Sequence, residues 1–214
     1  MPRRETASQK RFPKGKASVS IFLLTGPSGS GKSTLAEGLE RRGWERLDGD
    51  ALAKSLYKKG SRLLRDMVRA FGQDILKSDR SLDTVRLGEI VFPSLARRKK
   101  LTRLVYPHFE RALRAAIAAA RRHGQAMVAD VPVYFDMGAP HLGVPVVLIN
   151  APVAVRVARL MKGRGISAGR ARAQAKALSF GTAERKQADL VLDGRKAKPV
   201  LLQELTRTLG TWTD

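Results

Sequence analysis

Residues 21–34 read IFLLTGPSGSGKST, and this stretch decides the fold. An apolar run leads directly into a glycine-rich turn that ends in Gly31, Lys32 and Ser33. The spacing from Gly26 to Ser33 fits the pattern G-x-x-x-x-G-K-[ST] at every fixed position. Residues 20–25 predict a short buried strand and residues 33–42 predict a helix, which is the context that this motif requires.

The physical chemistry of such a loop indicates phosphate binding. Glycines permit positive φ angles and a close approach of the backbone to a ligand, so that successive N–H groups can point inward. The helix that starts near Lys32 adds the positive end of its dipole. Lys32 can reach the β- and γ-phosphates of a nucleotide, and the Ser33 hydroxyl can hold Mg²⁺.

The sequence therefore predicts ATP with Mg²⁺ as the ligand of this P-loop. A glycine-rich turn with a chance lysine would account for neither the spacing nor the flanking elements. The predicted nucleotide-binding residues are Gly26, Pro27, Ser28, Gly29, Ser30, Gly31, Lys32, Ser33 and Thr34.

Composition narrows the remaining possibilities. The 214 residues suit one domain with an insert, and their formal net charge is +22. Such a charge is typical of nucleic-acid binding, but also of a phosphate-handling enzyme with a basic surface. Aromatic residues are few and are not interleaved with the basic runs, which favours the enzyme. No apolar run is long enough for a membrane helix. The lack of cysteine fits a cytoplasmic protein. We expect a monomer or a weak homo-oligomer.

Strand and helix patterns alternate along the rest of the chain. Residues 1–17 predict a disordered basic tail, and residues 51–122 predict a helical insert in which Pro93 and Pro107 break or start helices. Further strands are expected at 44–50, 126–132, 144–151 and 188–194, and a last helix is expected to end at Gly210. The fold class is therefore α/β: a P-loop NTPase-type parallel sheet with helices on both faces, a helical acceptor-binding insert and a lid.

Three aspartates follow predicted strands, where ligands of parallel sheets bind. Asp48 and Asp50 have alternate strand spacing, so that one could take the proton of an acceptor hydroxyl while the other orders water around Mg²⁺. Asp50 could instead cap a helix that begins at Ala51. Asp130 is either a Walker-B type carboxylate or a polar strand end.

A basic segment is the candidate lid. Arg159, Lys162 and Arg164 lie where a predicted helix enters a glycine-rich stretch, which suits a lid over phosphates. The alternative is a solvated basic helix end.

The order of these parts resembles the dephospho-CoA kinase family from about residue 21 to the last helix. The segments that carry the resemblance, besides the P-loop, are LDGDALAKSLYKKG from Leu47, FGQDIL from Phe71, LGEIVF from Leu87, DVPVYFDMG from Asp130, RLMKGRGIS from Arg159 and ERKQADLVLDG from Glu184.

The resemblance implies transfer of the ATP γ-phosphate to the ribose 3′-hydroxyl of dephospho-CoA, with ATP and Mg²⁺ as cofactors. It implies that Lys32 and Arg164 assist catalysis, that Asp50 activates the hydroxyl, and that Ser33 and Asp48 serve the metal. The insert 51–122 would bind the CoA moiety and 159–186 would form the lid. It implies dephospho-CoA as a small-molecule partner. From the sequence itself no membrane is expected, and nucleic acid is the less favoured partner although the charge is strongly basic.

Several positions depart from the family pattern. Where the family has His, Arg, Asn and Glu, this chain has Tyr106, Thr84, Gly194 and Asp136, in that order. The family's glutamine aligns near Leu178, and its lid arginine falls on Gly163 or Arg164. These departures leave open a different acceptor, another nucleoside or a sugar. The net charge leaves open a second alternative, a basic nucleic-acid-binding protein that uses ATP as a switch.

Overall fold

The computed structural model describes residues 20–91, 93–178 and 180–211. The predicted basic tail at 1–17 lies outside these residues. No helix among them is long and apolar enough to cross a membrane.

Five strands form one sheet in the order β2-β3-β1-β4-β5. The strands are β1 (Ile21–Thr25), β2 (Glu45–Asp48), β3 (Met127–Asp130), β4 (Val146–Asn150) and β5 (Leu190–Asp193). β1 runs parallel to both β3 and β4, and β4 runs parallel to β5. All five residues of β1 are buried, because a central parallel strand is covered on both faces. The predicted P-loop parallel-sheet fold is confirmed.

Helices connect the strands. They are α1 (Lys32–Glu40), α2 (Gly49–Leu56), α3 (Arg62–Phe71), α4 (Thr84–Val91), α5 (Leu95–Arg122), α6 (Val153–Arg164), α7 (Ala168–Ala177), α8 (Thr182–Gln187) and α9 (Lys198–Leu209). Short turns and one 3₁₀ turn at Gln73–Ile75 fill the connections. The described part of 51–122 is helical as predicted, apart from one isolated bridge between Leu76 and Leu82.

Contacts divide the chain into two units. Among the described residues, the sheet unit comprises 20–46, 120–132, 143–178 and 180–211. The helical unit comprises Leu47–Ala119 and Val133–Leu142.

Each unit has its own apolar cluster. In the sheet unit, Phe22 and Leu24 of β1 pack with residues of α1 and α9, and Trp44 meets Phe22 edge-on with ring centroids 5.3 Å apart. In the helical unit, Leu63, Leu64 and Met67 of α3 pack with residues of α4 and the 3₁₀ turn. Burying each such side chain fully contributes about 1.5–3 kcal/mol to the free energy of folding.

The assignment of 51–122 as an acceptor-binding insert and of 159–186 as a lid stays a prediction.

Pro107 lies inside α5 and not at a helix boundary, so this part of the prediction is wrong. A proline inside a helix removes one backbone donor and clashes with the preceding turn. The apolar side chains Phe109, Leu113 and Ile117 after it are buried. Tertiary packing of this face outweighs the local cost and lets the helix continue.

Candidate functional site

The P-loop connects β1 to α1 through a backbone that requires glycine. Gly26 has φ +157, and a Cβ there would lie 2.4 Å from the Ile149 carbonyl oxygen. Gly31 has φ +105 and precedes α1 in the left-handed conformation, which disfavours a side chain. Any other residue at Gly26 would force the loop away from β4, so sequence and geometry agree on this turn.

The N-terminus of α1 is open to an anion. Gly31 provides no side-chain cap for α1, so the first-turn N–H groups keep their donors for a ligand. Ser30 is buried, and its hydroxyl has no hydrogen-bond partner among the residues that the structure describes. A nucleotide phosphate fits this arrangement, since it would accept from the N–H groups and sit at the positive end of the helix.

Lys32 and Asp130 form the centre of the site. Lys32, the first residue of α1, donates from Nζ to Oδ1 of Asp130 at 2.5 Å. The register of β1 on β3 pairs Leu24 with Asp130 and places the carboxylate at the sheet edge where the P-loop starts. Asp130 is only 3% exposed, and its Walker-B role stays a prediction.

Arg46 completes an ion-pair cluster around the same carboxylate. It lies on β2 and donates from Nη2 to Oδ2 of Asp130 at 2.6 Å. Its Nη1 is 3.9 Å from Oε2 of Glu40 on α1. Each oxygen of the buried Asp130 thus has its own cation.

Two arginines of α6 contact the backbone. Arg159 donates from Nη1 to the carbonyl oxygens of Ser30 at 3.1 Å and Gly29 at 3.4 Å, so it braces the P-loop. Arg156 is 1% exposed and donates to the carbonyl oxygens of Ala151, Ala175 and Leu178. Burial lowers the pKa of Arg156. Arg156 therefore ties α6 to the C-terminal end of α7.

Arg164 is exposed at the last turn of α6, and Gly165 ends the helix with φ +62. Arg164 lies five positions after Arg159, so the two side chains project from different sides of the helix. The structure brings Arg159 to the P-loop and leaves Arg164 in solvent. The assignment of a catalytic lid arginine to Arg164 stays a prediction.

Asp48 and Asp50 lie in the helical unit, and the strand spacing expected for them is wrong. β2 ends at Asp48, and Asp50 belongs to the first turn of α2. Asp48 caps this helix, because its Oδ1 accepts from the backbone N–H of Asp50 at 2.8 Å and of Ala51 at 3.1 Å. The cap expected at Asp50 is therefore at Asp48, while Asp50 is exposed.

Two tyrosines of the helical unit lie close to acidic residues. Burial raises the pKa of Tyr57, and the negative charge of Asp50 raises it further. Burial also raises the pKa of Tyr106, the charge of Asp136 adds to this shift, and a hydrogen bond with Thr102 opposes it. Tyr106 and Asp136 are two of the positions where the sequence predicts a departure from the family pattern.

Gly194, another departure, leaves no space for a side chain. A Cβ there would lie 2.3 Å from the Ser30 carbonyl oxygen. The turn after β5 thus packs directly on the P-loop backbone, and the family's asparagine would require this turn to shift.

Sequence reasoning missed two of these residues. Arg46 stands in WERLDGD as a basic residue within a predicted strand, and that was the only available signal. Arg156 falls at helical spacing between Val153 and Leu160, where an apolar residue would be expected in an apolar stripe. An arginine at a core position signals a buried polar network.

Comparison with known proteins identifies the family. The family model for dephospho-CoA kinase matches residues 20–198. A dephospho-CoA kinase of Corynebacterium diphtheriae is 34% identical over 190 residues, which cover 88% of this chain and 94% of the relative. One of Mycobacterium leprae is 36% identical over 84% of this chain, but the match covers only 44% of that longer protein.

The fold comparison agrees. A crystal structure of a Thermus thermophilus protein superimposes with a TM-score of 0.72 at 29% identity and covers 93% of this chain and 100% of that one. The chain belongs to the dephospho-CoA kinase family. The predicted family and enzyme class, a kinase that uses ATP, are confirmed.

Proposed function

We propose that this member of the family phosphorylates the ribose 3′-hydroxyl of dephospho-CoA and so forms coenzyme A in the cytoplasm. The observation that carries the proposal is Lys32 at the open N-terminus of α1, 2.5 Å from the buried Asp130. The similarity of the chain to dephospho-CoA kinases over nearly its whole length supports the choice of acceptor.

In the proposed reaction the acceptor 3′-oxygen attacks the γ-phosphorus of ATP. The bond from that phosphorus to the oxygen shared with the β-phosphate breaks, and ADP leaves. Lys32 and the first-turn N–H groups of α1 stabilise the charge on the phosphate oxygens. Asp50 accepts the proton of the attacking hydroxyl, a role that its exposed carboxylate at the start of α2 can fill. Arg164 is proposed to approach the transferred group from the lid.

Magnesium ions would be held by oxygen ligands of this chain and of the phosphates. The Ser33 hydroxyl is exposed on the first turn of α1. Asp48 uses Oδ1 for its cap and keeps Oδ2 free of hydrogen bonds within the described part of the chain. Both groups are hard oxygen donors of the kind that Mg²⁺ prefers. Bound Mg²⁺ would neutralise charge on the β- and γ-phosphates.

The test is a direct assay of the product. Purified protein is incubated with ATP, Mg²⁺ and dephospho-CoA, and CoA is measured by chromatography and mass. Asp50→Asn is the test variant, and Glu37→Gln, which removes the charge of an exposed carboxylate on α1, is its control. CoA formed by the wild type and by Glu37→Gln but lost in Asp50→Asn supports the reaction and the base.

Other outcomes would overturn parts of the proposal. ATP binding without CoA formation would mean that the acceptor is a different nucleoside or sugar. Binding to nucleic acid that weakens by orders of magnitude with a modest increase in salt, without kinase activity, would favour the nucleic-acid alternative.

A further inference from the structure

Asp130 pairs with two cations at once, which raises a question of charge balance. Asp130 is buried, with a side chain that is 4% exposed, while the side chains of Lys32 and Arg46 are 12% and 21% exposed. A buried carboxylate that loses its partner is strongly destabilised, because it has neither water nor a counter-charge. The stability of the charged Asp130 carboxylate therefore depends on whether Lys32 and Arg46 stay paired with it.

Lys32 has two competing tasks. In the structure, Oδ1 of Asp130 accepts a hydrogen bond from its ammonium group. With nucleotide, the same ammonium must direct its charge to the phosphates, as the proposed function requires. Nucleotide binding therefore removes part or all of one ion pair from a buried carboxylate.

Arg46 is placed to cover this loss. It contacts the other oxygen, Oδ2, from β2 and not from the P-loop. Glu40, 3.9 Å from its Nη1, helps to orient the guanidinium. An arginine keeps its charge at every relevant pH, so it can stay with Asp130 while the lysine moves.

We propose that Arg46 is a positioning residue that keeps Asp130 compensated while Lys32 exchanges between this carboxylate and the phosphates of the nucleotide. The inference rests on the nucleotide-binding part of the proposed function and does not depend on the acceptor. It assigns to Arg46 an energetic effect on nucleotide affinity without contact between Arg46 and the nucleotide.

The test measures affinity and not turnover. Isothermal titration calorimetry with Mg²⁺ and β,γ-imido-ATP, without acceptor, gives the dissociation constants of the full chain and its variants. Arg46→Met should weaken binding about tenfold, since about 1.4 kcal/mol of compensation would be lost. Arg46→Lys, which restores a cation, should bring the constant back to within about threefold of wild type. Arg41→Met, which removes an exposed arginine from the same unit, should leave affinity unchanged.

A double-mutant cycle separates this role from a merely structural one. If Arg46 acts through Asp130, Arg46→Met should raise the dissociation constant of the nucleotide by less than about twofold when it is made in the Asp130→Asn variant. Equal losses in both backgrounds, or an Arg46→Met variant that binds as tightly as wild type, would overturn the inference. If Arg46→Met does not fold, as judged by circular dichroism, Arg46→Gln takes its place. A wild type that binds no nucleotide would overturn the proposed function itself.

Discussion

Asp130 and Asp48 stand at the ends of two strands of the same sheet, yet their surroundings are opposite. Asp130 is buried, and both of its oxygens pair with cations. Asp48 is exposed and uses one oxygen to cap a helix. The same sequence signal, an acidic residue after a strand, therefore gives a charged centre in the sheet unit and a cap with a spare oxygen in the helical unit. Neighbouring side chains, and not strand position, decide what such a carboxylate does.

The largest predicted effect is a loss of turnover when Lys32 is removed, because Lys32 is the cation that pairs with Asp130 and is proposed to contact the phosphates. Lys32→Ala should lower turnover by about a thousandfold or more, because it deletes the charge directed at the transferred phosphoryl group. Lys32→Arg keeps the charge but not the compact ammonium, so it should recover only part of the activity. Steady-state assays of CoA formation measure both, and Lys32→Ala turnover close to wild type would exclude Lys32 from the reaction.

The next effect concerns the base and belongs to the helical unit. Asp50→Asn should lower kcat about a hundredfold, the common scale for loss of a general base. Nucleotide affinity should stay within about twofold of wild type, since no donor to the phosphates is removed. The comparison of kcat with the calorimetric dissociation constant tests this prediction, and an Asp50→Asn variant with wild-type kcat would require another base.

The same substitution, aspartate to asparagine, at Asp130 and at Asp48 tests the contrast between the two strand ends. Asp130→Asn should reduce the free energy of unfolding by about 1–3 kcal/mol, because it removes the charge from two buried hydrogen bonds. Asp48→Asn should cost only a few tenths of a kcal/mol, since asparagine caps helices about as well as aspartate. Asp48→Ala removes the cap and should cost about 1 kcal/mol. Urea unfolding at pH 7 measures all three, and equal losses for the two asparagine variants would contradict the contrast drawn between the sites.

Much of the fold was predictable, because apolar runs and glycines act locally. The P-loop, its strand and its helix follow from residues 20–42 alone, since only glycine fits the turn at Gly26. What failed depended on tertiary context. Pro107 lies within α5 although proline disfavours helix interiors. The cap position at Asp48 instead of Asp50 reflects a boundary two residues earlier than expected.

The candidate site was predictable in its loop but not in its supporting contacts. Lys32 and Asp130 belong to recognisable patterns, so their pairing was within reach of sequence reasoning. Arg46 carries no motif, and its role comes from the order β2-β3-β1, which places β2 next to the strand of Asp130. A sheet order of this kind is a long-range property that no short window of sequence contains.

A third strand-end carboxylate, Asp193, extends the comparison to a partly exposed side chain whose partner, Arg195, lies in solvent. Its hydrogen bonds with the Arg195 side chain and backbone lower its pKa to about 2, from the ordinary 3.8. A carboxyl whose pKa is depressed in the folded state stabilises that state above its unfolded pKa, and the contribution is lost as pH falls through the folded value. The difference in unfolding midpoint between wild type and Asp193→Asn should therefore be constant near neutral pH and vanish between about pH 4 and pH 2. Because solvent screens this ion pair, whose side chains are 33% and 65% exposed, the difference should stay below that of Asp48→Ala. Thermal unfolding across this pH range measures it, and a larger effect for Asp193→Asn would show that solvent screening does not limit this pair.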